Sequence, residues 1–169
     1  MNIFQSKLGK IPVTFQNSFE SEDFKRRLLW HGILLCTIGF IAGFFIPLYV
    51  NPRAGLATHL LGITEGLFLA VIGLCYPQLK LSFRLAKANF WMLVISAYVG
   101  ITGEFLGATF GLTRVFVVTA QGLPETNKLM ETIVEISIKS ISILVILSCL
   151  ITLYGLSYKH KDSASSIIN

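Results

Sequence analysis

Four long apolar stretches dominate this chain: Leu28–Val50, Leu56–Tyr76, Ala88–Gly111 and Thr132–Tyr158. Each can cross a hydrocarbon core of about 30 Å, which takes about 20 helical residues. No stretch alternates polar and apolar residues in the pattern of a membrane β-barrel. Composition agrees: 53% of residues are hydrophobic and 14% charged, against roughly a quarter charged in soluble domains. The expected fold is all-α, an integral membrane bundle of four helices in one domain. Residues 1–27 form an N-terminal segment, 28–158 the membrane domain and 159–169 a tail.

The first 27 residues are too polar for a signal-peptide core, so the first helix is expected to remain in the mature protein. Ser21, followed by Glu22 and Asp23, reads as a helix N-cap with acidic residues in its first turn. Lys7, Lys10, Lys25, Arg26, Arg27, Lys80, Arg84, Lys87, Lys159 and Lys161 fall on one side of the membrane. Arg53, Arg114, Lys128 and Lys139 are left for the other. The positive-inside rule then makes both termini cytoplasmic. The net charge of +5 is explained by this bias and calls for no nucleic-acid partner.

Cys36, Cys75 and Cys149 lie inside apolar stretches without a C-x-x-C spacing and read as small hydrophobes. No nucleotide-binding loop, nucleophile elbow or H-E-x-x-H motif is present. Glycines recur at four-residue spacing: Gly39 and Gly43, Gly62 and Gly66, then Gly103, Gly107 and Gly111. In lipid such pairs let helix backbones approach closely, so a tight bundle is expected, with glycine faces to spare for an oligomer. Pro47 and Pro52 bracket the first outer turn, Pro77 ends the second helix, and a mixed linker spans Thr113–Glu131.

An ionisable residue at membrane depth is costly and points to function by default. His31, beside Arg26 and Arg27, is expected to reach the headgroups. Glu135 and Lys139 have the one-turn spacing of a surface ion pair. His59, Glu65 and Glu104 are harder to dismiss. Counting from the apolar boundaries, they lie about 5, 13 and 10 Å below the outer surface, in one outer layer, with Tyr98 deeper. His59, Gly62 and Gly66 share a helical face. A histidine followed by glycines suits a planar group lying on the helix; the alternative is a histidine bonded to a neighbouring helix. Phe44, Phe45, Tyr49, Phe68, Phe105 and Phe110 are candidates to line a pocket for a small aromatic entering from lipid.

At "RRLLWHG", "NPRAGLATHLLGITEG" and "ISAYVGITGEFLGATFG" the chain resembles the small four-helix membrane isomerases that include hydroxylaminobenzene mutase and styrene oxide isomerase. The N-P-R-x-G-L-x-x-H element, Asn51 to His59, is closest to the mutase branch. The resemblance implies a homotrimer in a bacterial cytoplasmic membrane, holding ferric haem b between protomers. His59 would be the single axial metal ligand, with Arg53, Gly62 and Gly66 as further cofactor-binding residues. Glu65 and Glu104 stand where the epoxide enzymes carry an asparagine and a tyrosine, which disfavours epoxide chemistry. The implied activity rearranges an arylhydroxylamine to an aminophenol, with Glu65, Glu104 and Tyr98 as catalytic candidates. Alternatives remain: an epoxide-to-aldehyde isomerase, or a non-catalytic haem-binding membrane subunit. The two carboxyls have a structural alternative too, as hydrogen-bonding glue to each other or to Thr64, Thr102 and Tyr98. Histidine placement is compatible with one ligand, since His31 and His59 lie at opposite ends of their helices and His160 is in the tail.

Overall fold

A computed structural model describes residues 13–124 and 126–157. Lys7, Lys10, Lys159, Lys161, His160 and the tail lie outside the described residues. Among the described residues four α-helices make up the fold: α1 (Val13–Phe44), α2 (Pro52–Cys75), α3 (Phe83–Phe110) and α4 (Lys128–Ser157). All four are long and apolar enough to cross a membrane, and no strand occurs among the described residues. Short 3-10 turns at Ile46–Leu48 and Tyr76–Gln78 carry Pro47 and Pro77.

Boundaries depart from the hydropathy limits for local reasons. Helix α1 begins well before Ser21, so that residue is not its N-cap. The neighbouring acids pair along the helix surface instead: Glu22 with Lys25 at 3.1 Å, and Asp23 with Arg26 at 3.3 Å and Arg27 at 2.8 Å. Such i,i+3 and i,i+4 pairs support a helix interior. Helix α2 also starts early, because Asn51 caps it by accepting from Ala54 N at 3.1 Å and Pro52 suits the first helical position. Asn51 N also donates to Ala108 O at 3.0 Å, tying the start of α2 to the end of α3. Ser82 caps α3, and Gly111 closes it in the left-handed region at φ 66°, where a Cβ would be strained.

The closest helix pair is α1 with α2. Gly32 and Gly39 of α1 face Gly66 and Gly62 of α2, so the backbones nearly touch. A Cβ on Gly66 would lie 2.5 Å from Gly32 O and 2.6 Å from Cys36 Sγ. Gly66→Ala is therefore expected to destabilise the bundle by about 1–3 kcal/mol, as overpacking does. Reversible unfolding in mixed micelles measures it, and an unchanged transition would contradict the tight seam.

Helix α4 packs against α3 and turns most of its surface outward. A polar clasp joins the two. Ser148 Oγ donates to Asn89 Oδ1 at 2.7 Å, Asn89 Nδ2 donates to Thr152 Oγ1 at 3.0 Å, and Asn89 is fully buried. In an apolar interior such interhelical bonds fix register. The α3–α4 linker is tied down by Glu131, which the sequence did not single out. Its carboxylate accepts from Thr113 N (2.7 Å), Thr113 Oγ1 (3.1 Å), Thr126 Oγ1 (3.0 Å) and Arg114 N (3.0 Å). The Lys139–Glu135 ion pair forms as expected, at 2.6 Å.

Candidate functional site

His59 sits in the α1–α2 seam, half-buried. Its Nδ1 lies 2.8 Å from Gly39 O. A carbonyl only accepts, so Nδ1 carries the hydrogen, and in the neutral ring that tautomer leaves the lone pair on Nε2. Nε2 has no partner among the described residues. Gly43 makes room for this orientation, since a Cβ there would lie 2.6 Å from Nδ1. Phe40 flanks the ring edge-on at 6.2 Å between centroids. A ring pinned through one nitrogen with the other bare is the usual posture of a metal-binding histidine.

The glycine strip beyond His59 is not vacant. Gly62 and Gly66 are buried under the backbone of α1, so they hold two helices together and offer no open face to a planar group. Helical periodicity identified the shared face correctly but not what covers it. Arg53 is exposed in the first turn of α2, without a partner among the described residues.

Because α2 starts at Pro52, His59 lies about 10 Å along the helix and Glu65 about 20 Å. Glu65 is thus at mid-helix, while Glu104 lies about 9 Å from the C-terminal end of α3. The single outer layer of ionisable groups expected from hydropathy limits is split. Glu65 lays its carboxyl against α3, where a Cβ on Gly100 would meet Oε1 at 3.1 Å. Oε2 is buried and has no hydrogen-bond partner. Glu104 stands one turn from Gly100 on α3 and is half-buried, also without a partner among the described residues. The proposed glue is absent: Thr64 donates to Leu60 O, Thr102 donates to Tyr98 O, and the Tyr98 hydroxyl is engaged elsewhere.

That other engagement corrects two expectations. Tyr98 OH lies 3.0 Å from His31 Nδ1, across the α1–α3 contact. His31 therefore turns inward, between Trp30, Phe90 and Tyr98, and does not reach for headgroups. Tyr98 is about 120° around α3 from Glu104 and stands apart from the carboxyls. Tyr98 instead lines a groove of about 620 Å³ between α1 and α3, together with Phe45, Tyr49 and Phe105. Phe44, Phe68 and Phe110 are outward-facing and do not line it.

Among the described residues no three His, Cys, Asp or Glu side chains converge on one point. Side chains alone thus furnish no donor set for a bare ion. His59 fits an iron that brings its own ring donors and needs one axial nitrogen.

A family model for styrene oxide isomerase matches residues 24–157. The chain belongs to that family. Two curated relatives come from Ectopseudomonas oleovorans. Hydroxylaminobenzene mutase HabB is 34% identical over 131 residues, covering 78% of this chain and 80% of HabB. Hydroxylaminobenzene mutase HabA is 31% identical over 125 residues, covering 74% of this chain and 93% of HabA. No solved structure gives a significant match. The styrene oxide isomerase family member described here is accordingly a multi-pass membrane isomerase.

Gly43 and Gly100 are the clearings for His59 and Glu65. Spacing placed Gly43 among the small-residue pairs and Gly100 on the face of Glu104, but not in these roles.

Proposed function

We propose that this protein rearranges an arylhydroxylamine to an aminophenol in a bacterial cytoplasmic membrane, with both termini cytoplasmic. The observation that carries this reading is the pair of unpartnered membrane-depth carboxyls, Glu65 against Gly100 and Glu104 one turn away. Buried polar groups are otherwise paired almost without exception, so the bare, buried Glu65 Oε2, with half-buried Glu104 also unpartnered among the described residues, favours a chemical role. Similarity to two hydroxylaminobenzene mutases supports the substrate class.

The rearrangement breaks N–O and forms a ring C–O bond, with no net oxidation or reduction. One carboxylic acid protonates the departing oxygen; the other carboxyl, ionised, takes the ring proton as aromaticity returns. His59 would hold ferric haem b through Nε2, with Nδ1 anchored on Gly39 O. Bound there, the haem would supply a Lewis acid that polarises the N–O bond.

His59 and Glu65 point about 120° apart around α2, one towards α1 and the other towards α3. One protomer therefore does not gather the histidine and the carboxyls on one side. In the homotrimer that belongs to this reading, His59 of one copy would face the carboxyls of the next.

A paired assay of membranes tests the reading. Phenylhydroxylamine is expected to give an aminophenol, while styrene oxide gives little aldehyde. Turnover of the epoxide alone would establish the other branch of the family, and turnover of neither would favour a non-catalytic subunit.

A further inference from the structure

The α1–α3 groove holds about 620 Å³, within the size range of small-molecule sites. Its walls are apolar, and Ile41, Phe45 and Phe105 at its edge are exposed on the outer surface of the helices, so it opens towards lipid. What distinguishes it is the state of its hydroxyls. Thr58 Oγ1 donates to Ala54 O at 2.9 Å, Thr102 Oγ1 to Tyr98 O at 2.7 Å and Thr109 Oγ1 to Phe105 O at 2.8 Å. Tyr49 OH donates to Ala42 O at 3.4 Å, and the Tyr98 hydroxyl is held by His31 Nδ1 at 3.0 Å. Four of these five hydroxyl hydrogens are spent on backbone carbonyls, leaving oxygen lone pairs as the polar atoms a ligand meets.

We propose that this groove is a lipid-side entry site for small neutral aromatics carrying an N–H or O–H donor, selected by hydroxyl oxygens that can only accept. The inference rests on the mutase reading for the identity of the ligand. An arylhydroxylamine brings both an N–H and an O–H, and each can bond a threonine oxygen without disturbing its helix. An epoxide brings only an acceptor and would set lone pair against lone pair. The groove would thus hold an arylhydroxylamine in preference to an epoxide.

The test is binding, read without turnover. Full-length protein in nanodiscs is titrated with 4-fluoroaniline, a donor, and with 4-fluorotoluene, its isosteric non-donor, and ¹⁹F line broadening gives each affinity. Thr102→Val, and independently Thr109→Val, is expected to weaken 4-fluoroaniline about three- to tenfold, the worth of one hydrogen bond, while 4-fluorotoluene is unchanged. Ile41→Trp, which fills the groove, is expected to displace both. Equal responses of the two probes to the valine variants, or undiminished binding in Ile41→Trp, would overturn the proposal. The two readings fail separately. Donor-selective binding without turnover of phenylhydroxylamine would leave the groove and remove the mutase assignment; turnover with non-selective binding would do the reverse.

Discussion

His59→Ala is expected to abolish the Soret absorbance of the purified protein together with its isomerase activity. The Nδ1–H to Gly39 O bond at 2.8 Å pins the ring and leaves Nε2 as the bare donor. No substitute stands nearby: His31 is held by Tyr98, about 12 Å along α1 from Gly39. Loss of the ring leaves Gly39 O without its side-chain donor at the half-buried seam, a cost of about 1–3 kcal/mol that four packed helices can absorb. Absorption spectra and size-exclusion profiles of wild type and variant decide the matter. A wild type without a Soret band, or a variant that keeps one, would overturn the haem assignment.

Glu65→Gln is expected to lower isomerase activity by about 10²–10⁴-fold, the usual contribution of a positioned acid or base, with unchanged absorbance. Glutamine keeps the shape that fits over Gly100 but can neither release nor accept the transferred proton. Since Oε2 has no hydrogen-bond partner to lose, the fold has little reason to suffer. Glu104→Gln is expected to fall on the same scale, because the reaction needs both an acid and a base. Full activity in Glu65→Gln, with normal protein yield, would remove that carboxyl from the chemistry.

Much of the architecture was legible from apolar length, and the errors lie at boundaries and in rotation. Hydropathy began α2 at Leu56; Asn51 and Pro52 begin it earlier through a cap and a preset φ, and that shift moves Glu65 from the outer layer to mid-helix. Depth along the first helix suggested that His31 snorkels, but depth carries no information about which way a side chain faces. Rotation turns His31 onto Tyr98, 67 residues away. Similarly, the spacing of His59, Gly62 and Gly66 revealed a shared face without revealing that α1 fills most of it.

The sequence by itself determined four membrane-crossing helices, small-residue seams and the family. All of these follow from local composition and spacing, because lipid imposes the same length and polarity rules on every segment. Only the tertiary structure decided that His59 is anchored by Gly39, that Glu65 and Glu104 lack partners among the described residues, and that Tyr98 belongs to a groove on the other side of α3. Each depends on how helices rotate and meet. That is set by the summed packing of many weak contacts from distant parts of the chain, which no single stretch of residues contains.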